Sequence, residues 1–109
     1  MKFHVSVAVA VAALSSSFVA MAVDDAAAEA LARQQNCFKC HSVSKKKDGP
    51  AYKEVAEKYK GKADAEQRLT THLTTGEKAK FPDGHEEAHK IIKANEADTK
   101  NLIQWILSR

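Results

Sequence analysis

The stretch Cys37-Phe38-Lys39-Cys40-His41 decides how the rest of the chain is interpreted. Cysteines three positions apart lie on nearly the same side of a helical turn, so both sulfurs can reach the two vinyl groups along one edge of a haem. The histidine after the second cysteine then lies where its imidazole can bind the iron as the proximal ligand. The pentapeptide predicts one haem c with its iron, attached covalently at Cys37 and Cys40 and ligated by His41.

Other interpretations of the two cysteines are a redox pair, half of a zinc site, or chance. A thioredoxin-like redox pair is expected in a βαβ context, for which the sequence gives no support. A structural zinc site needs two more ligands, and only scattered histidines remain. An export signal at the N-terminus further favours haem attachment over chance.

The first 22 residues have the pattern of a cleaved secretory signal. Met1-Lys2-Phe3-His4 is a short basic start, residues 5–19 form an apolar run, and Ala20-Met21-Ala22 is a small-x-small cleavage site. The run is short of the roughly 20 residues that span a bilayer. We predict export through the Sec route to the periplasm of a bacterium and cleavage after Ala22; an uncleaved N-terminal anchor is the alternative.

Residues 23–109 are long enough for one domain. A chain of this size buries only a modest core by itself, so a large apolar cofactor would relieve a shortage of buried surface. The full chain has 17 Lys and Arg against 14 Asp and Glu, a net charge of +3. Loss of Lys2 with the signal leaves a nearly balanced charge, which does not suggest nucleic-acid binding. After cleavage we expect no membrane association.

Helical signals dominate this domain, and β-branched runs with alternating polarity are missing. Helices are predicted over residues 26–35, 51–59 and 64–75, and from an Asn95 cap to the C-terminus. Residues 78–93 contain the turn signal Phe81-Pro82-Asp83-Gly84 and are predicted to be a loop with at most one helical turn. The fold class is therefore all-α, with four to five short helices around one haem. The side chains assigned to the core are Phe38, Tyr52, Tyr59, Leu69, Leu73, Phe81 and Trp105.

The chain resembles the class I, monohaem cytochromes c of bacteria over nearly all of residues 23–109. The matching features are a helix before the pentapeptide, then Gly49-Pro50-Ala51-Tyr52, a middle helix that ends at Gly76, and a final helix with Trp105. The resemblance implies that the Pro50 carbonyl accepts a hydrogen bond from His41 and that the first and last helices cross over the haem. It also implies a one-electron carrier rather than an enzyme, so no catalytic residue is assigned.

The sequence departs from this family at the sixth iron ligand, which is usually a methionine in the loop before the last helix. The only methionines are Met1 and Met21, so the mature domain has none. In the family the ligand stands about sixteen residues before the tryptophan of the last helix, which places His89 at that position. His85 is the alternative, and an open or weakly held site is a third possibility. We interpret His72 as a propionate contact or a surface residue.

Two histidine ligands imply a reduction potential below that of methionine-ligated members, because a soft thioether favours ferrous iron. The function predicted is a monomeric, low-potential electron carrier. A gas-binding or sensor haem protein with a displaceable sixth ligand is the alternative. Ile91 and Ile92, which follow His89, are expected to press against a haem face.

The basic residues beside the pentapeptide suggest how a partner could be recognised. Lys39, Lys45, Lys46 and Lys47 lie close in sequence to the thioether edge, the part of such a haem that typically reaches solvent. They could steer periplasmic redox proteins with an acidic docking surface to that edge. The other interpretation is a solvated loop.

Overall fold

A computed structural model describes residues 22–109, together with the isolated residues 2, 10, 12 and 13. The predicted signal therefore lies almost wholly outside the described residues. None of the helices in the described ranges is long and apolar enough to cross a bilayer.

Four α-helices build the domain, as the all-α fold class predicted. They are α1 (Asp25–Gln34), α2 (Tyr52–Tyr59), α3 (Ala65–Thr74) and α4 (Glu96–Leu107), and one 3-10 turn (Cys37–Lys39) follows α1. The Asp24 side chain caps α1 by accepting from the backbone N–H of Ala27, and Asn95 caps α4 by accepting from that of Asp98. Both caps satisfy an amide that the first helical turn leaves without a partner.

Residues 78–93 differ from the prediction, because they contain an antiparallel ribbon instead of a loop with a helical turn. Strand β1 (Lys78–Lys80) pairs with β2 (Glu86–Ala88), and Lys80 lies opposite Glu86. The turn between the strands is closed by hydrogen bonds from Phe81 N–H to the His85 carbonyl and from Gly84 N–H to the Phe81 carbonyl, both 2.9 Å. A strand of three residues is too short for an alternation of apolar and polar residues to be recognised in the sequence.

Helix α4 is the centre of the core and packs against α1, α2 and α3. Leu102 and Ile103 on it are fully buried. Four of the predicted core side chains are confirmed as buried: Tyr52, Leu69, Leu73 and Trp105. Phe38, Tyr59 and Phe81 are only partly buried. The helices therefore meet along α4, and their other faces surround a cleft.

Candidate haem-binding cleft

The pentapeptide lies where α1 ends. Asn36 adopts a left-handed backbone conformation, with φ of 60°, and so turns the chain out of α1 into the 3-10 turn. The backbone N–H of His41 then donates to the Cys37 carbonyl at 3.0 Å. Cys37, Cys40 and His41 consequently line one wall of the same cleft. Burial raises the pKa of the Cys37 thiol, and a hydrogen bond from the Tyr52 hydroxyl offsets part of that rise.

The His41 ring is oriented by the backbone of Pro50. Its Nδ1 lies 2.7 Å from the Pro50 carbonyl oxygen. A carbonyl only accepts hydrogen bonds, so Nδ1 carries the proton and Nε2 keeps a lone pair for a metal. Burial lowers the pKa of His41, an effect that the Pro50 bond partly offsets. The imidazole is therefore held neutral and in the tautomer that binds a metal through Nε2.

Gly49 makes room for this ring. A Cβ at Gly49 would overlap the His41 ring, since it would lie 2.8 Å from both Nδ1 and Nε2, closer than any unstrained contact. Its backbone N–H also donates to the Cys40 carbonyl at 2.7 Å. The family resemblance implied the hydrogen bond from His41 to the Pro50 carbonyl, but sequence reasoning treated Gly49 only as part of a turn and missed that its lack of a side chain leaves room for the ring.

Tyr52 completes the support of His41 from the core side. The two rings stack with centroids 5.1 Å apart and planes 20° apart, and the edge of Trp105 meets Tyr52 at 5.7 Å. Burial raises the pKa of the Tyr52 hydroxyl, which therefore stays protonated. The proximal imidazole thus rests against a buried aromatic pair.

His89 lies across the cleft from His41, with 6.2 Å between the two ring centroids. Its Nδ1 lies 2.9 Å from the Lys90 carbonyl oxygen, so Nδ1 carries the proton here too and Nε2 keeps its lone pair. Bonds between a metal and an imidazole nitrogen are about 2 Å, so two imidazoles on opposite sides of one metal ion have ring centres roughly 6 Å apart. Burial, and secondarily the neighbouring His72, lower the pKa of His89.

His72 contacts His89 directly, which sequence reasoning did not predict. The ring centroids are 4.1 Å apart, and the Nδ1 of His72 lies 2.8 Å from a carboxylate oxygen of Glu77. The side chains of His72 and Glu77 are each about one third exposed. His72 therefore lies in the cleft wall beside the predicted distal ligand.

His85, the alternative distal ligand, is exposed and does not line the cleft. Its ring stacks on Phe81 at 4.5 Å and hydrogen-bonds with the carboxylates of Asp83 and Glu87. The hydrogen bond to Asp83, supported by Glu87, raises the pKa of His85. The ribbon turn thus holds His85 among carboxylates, away from His41.

The two isoleucines after His89 have different positions. Ile92 is buried and lines the cleft, and its backbone N–H donates to the Leu73 carbonyl at 2.9 Å. Ile91 is 50% exposed and lies against Gly76. Ile91 does not line the cleft, so the expectation that both isoleucines press against a haem face is wrong for Ile91.

The cleft has a volume of about 810 Å³, within the range of cofactor sites. Its apolar lining includes Leu69, Leu73, Ile92, Leu102 and Ile106. Two free thiols lie on one wall beside an imidazole whose Nε2 carries a lone pair. A second imidazole faces it at the spacing of a shared metal ion. These residues fit a covalently attached, axially ligated haem.

Residues 26–109 match the family model described as Cytochrome c. The crystal structure of the Class 1 cytochrome MtoD from Sideroxydans lithotrophicus ES-1 is similar to this chain, with 67% sequence identity and a TM-score of 0.78. The aligned region covers 80% of this chain and 97% of the MtoD chain. The crystal structure of wild-type Nitrosomonas europaea cytochrome c552 is 34% identical, with a TM-score of 0.60, and the alignment covers 73% of this chain and 96% of that protein. Cytochrome c-551 of Allochromatium vinosum is 38% identical over 93 residues, which cover 84% of this chain and 97% of that protein.

Proposed function

The chain belongs to the cytochrome c family as a class I, monohaem member with one covalent haem c, and on that premise we propose that it is an exported, monomeric one-electron carrier with two histidine ligands and a low potential. The haem, when bound, supplies the redox chemistry through the ferric and ferrous states of its iron. The residues of the chain attach it, orient its ligands and keep water away. No catalytic residue is part of the proposal.

The spacing of His41 and His89 is the observation that carries this proposal. Their rings lie 6.2 Å apart across the cleft, and each has its Nδ1 engaged by a backbone carbonyl. Both Nε2 atoms therefore keep the lone pair that iron needs. Residues 23–109 contain no methionine that competes for the distal position. Together these facts support His41 and His89 as the two axial ligands.

The mass of the purified holoprotein tests covalent attachment and export together. We expect the mass of residues 23–109 plus one haem, retained through acid–acetone extraction, because thioethers at Cys37 and Cys40 resist it and the signal is removed after Ala22. Intact-mass spectrometry measures both. A mass that includes residues 1–22 contradicts cleavage, and loss of the haem contradicts thioether attachment.

The distal ligand is tested by His89→Ala with His85→Ala as the matched control. We expect the oxidised wild type and His85→Ala to give the low-spin electron paramagnetic resonance spectrum of two imidazoles, and His89→Ala to lose it, because His89 faces His41 across the cleft whereas His85 does not line it.

Retention of that spectrum in His89→Ala contradicts this assignment. A high-spin ferric wild type that binds carbon monoxide rapidly in its ferrous state would instead support the gas-binding or sensor function.

The low potential is tested by His89→Met. A thioether favours ferrous iron more than an imidazole does, so we expect the midpoint potential to rise when methionine takes the sixth position. Spectroelectrochemical titration measures it, and the absorption spectrum reports whether sulfur ligates. An unchanged or lower potential in a sulfur-ligated variant contradicts the argument.

The lysines near the pentapeptide support a partner with an acidic docking surface. Lys39, Lys45, Lys46 and Lys47 are all exposed, and Lys39 lines the cleft. Lys47 Nζ donates to the Phe38 carbonyl at 2.6 Å, which ties the lysine loop to the haem attachment turn. A positive field at this edge would accelerate encounters with a negatively charged redox protein.

This surface is tested by Lys45→Glu with Lys46→Glu. The control is Lys93→Glu with Lys100→Glu, which makes the same charge change at exposed positions outside the lysine loop that is tied to the attachment turn. We expect the first pair to slow electron transfer to an acidic redox protein at low salt, and the control to slow it less. Stopped-flow kinetics at several ionic strengths measure this. Equal effects of the two pairs contradict a local docking surface.

A further inference from the structure

We infer that His72 and Glu77 act as a positioning pair for the distal ligand, and that this pair sets how readily an external ligand displaces His89 from the iron. The inference rests on the proposed function in one respect, namely that His89 is the sixth ligand. It assigns a role to two residues that the attachment motif and the axial ligands do not involve.

Three contacts join His72, Glu77 and His89 into a closed triangle. The backbone N–H of His89 donates to the Glu77 carbonyl at 2.9 Å. The His72 Nδ1–H donates to the Glu77 carboxylate at 2.8 Å. The rings of His72 and His89 lie 4.1 Å apart with planes 44° apart. Glu77 thus holds the backbone of His89 and, through His72, one side of its ring.

The triangle is anchored to the end of α3. His72 lies in the last turn of that helix, and Gly76, with φ of 67°, turns the chain immediately before Glu77. That left-handed conformation suits glycine because it lacks a Cβ. The position of the Glu77 carbonyl is therefore set by the helix end.

The hydrogen bond between His72 and Glu77 is the contact best suited to hold the ring. A hydrogen bond to an ionised carboxylate is stronger than one between neutral groups, and these side chains are only about one third exposed. Arg68 lies 3.9 Å from the same carboxylate, but its side chain is about half exposed, so that pair contributes little. Arg68 therefore provides a control that contacts the same carboxylate through a longer, more exposed ion pair.

If His89 holds the iron, its displacement by an external ligand would require the His89 ring to move away from the cleft centre. Such a movement would break either the contact between the rings of His72 and His89 or the hydrogen bond from the His89 N–H to the Glu77 carbonyl. Weakening the pair should therefore raise the dissociation rate of His89 without removing the ligand. An incoming carbon monoxide would then find the sixth position open more often.

The experiment measures carbon monoxide binding to the ferrous holoprotein at saturating gas, where the loss of His89 limits the rate. We expect Glu77→Ala and His72→Ala to bind carbon monoxide roughly tenfold faster than wild type, the effect of losing one hydrogen bond to a charged group. Glu77→Gln should restore most of the slow binding, because its amide oxygen still accepts from His72. Arg68→Ala should leave the rate within about twofold of wild type.

A control separates positioning from a general loss of stability. Ile103 is fully buried and does not line the cleft, so Ile103→Val lowers the melting temperature without touching the triangle. Its carbon monoxide rate should equal that of wild type. If Ile103→Val accelerates binding as much as Glu77→Ala does, or if Glu77→Ala and His72→Ala leave the rate unchanged, the inference is overturned.

Failure of this inference is distinguishable from failure of the proposed function. The oxidised wild-type spectrum reports first whether two imidazoles ligate the iron. If the spectrum shows two imidazole ligands, the carbon monoxide binding rates then test only the role of His72 and Glu77. His72 would itself be a ligand if the signals of two imidazoles were kept in His89→Ala but lost in the double variant His72→Ala, His89→Ala. That result overturns its positioning role.

Discussion

The hydrogen bond from His41 Nδ1–H to the Pro50 carbonyl, 2.7 Å long, is the interaction on which the geometry of the cleft depends. It fixes the tautomer of the proximal imidazole and aims its Nε2 into the cleft. The bond is possible only because Gly49 has no side chain where the ring lies. Tyr52 and Trp105 then back the ring with buried aromatic surface, so the turn that attaches the haem and the core on α4 are one continuous structure.

The distal side is joined to this proximal unit by the loop that carries His89. Gln35, at the end of α1, is buried, and its side-chain amide bonds to both the N–H and the carbonyl of Lys93. The Lys90 ammonium donates to the Gln35 carbonyl at 2.6 Å. Ile92 and His89 are hydrogen-bonded to Leu73 and Glu77. Both ends of the loop are thus fixed, which places the second imidazole without a dedicated helix.

Sequence reasoning anticipated the parts of this structure that depend on local chemistry. The attachment pentapeptide, the Asn95 cap and the buried Trp105 each leave a signal within a few residues of the chain. The ribbon of β1 and β2 was missed because strands of three residues are too short to show the two-residue alternation of apolar and polar side chains. The contact of His72 with His89 was missed for another reason: it is tertiary and depends on how the end of α3 meets a loop seventeen residues further on, which spacing alone does not encode.

The ligand environment of the iron is tested most directly by X-ray absorption at the iron edge of the oxidised wild-type holoprotein. Two axial imidazoles and the four nitrogens of the porphyrin predict a first shell of six nitrogen neighbours with no sulfur. A sulfur neighbour, or a shell of only five nitrogens, would contradict the assignment of His41 and His89 as the two axial ligands.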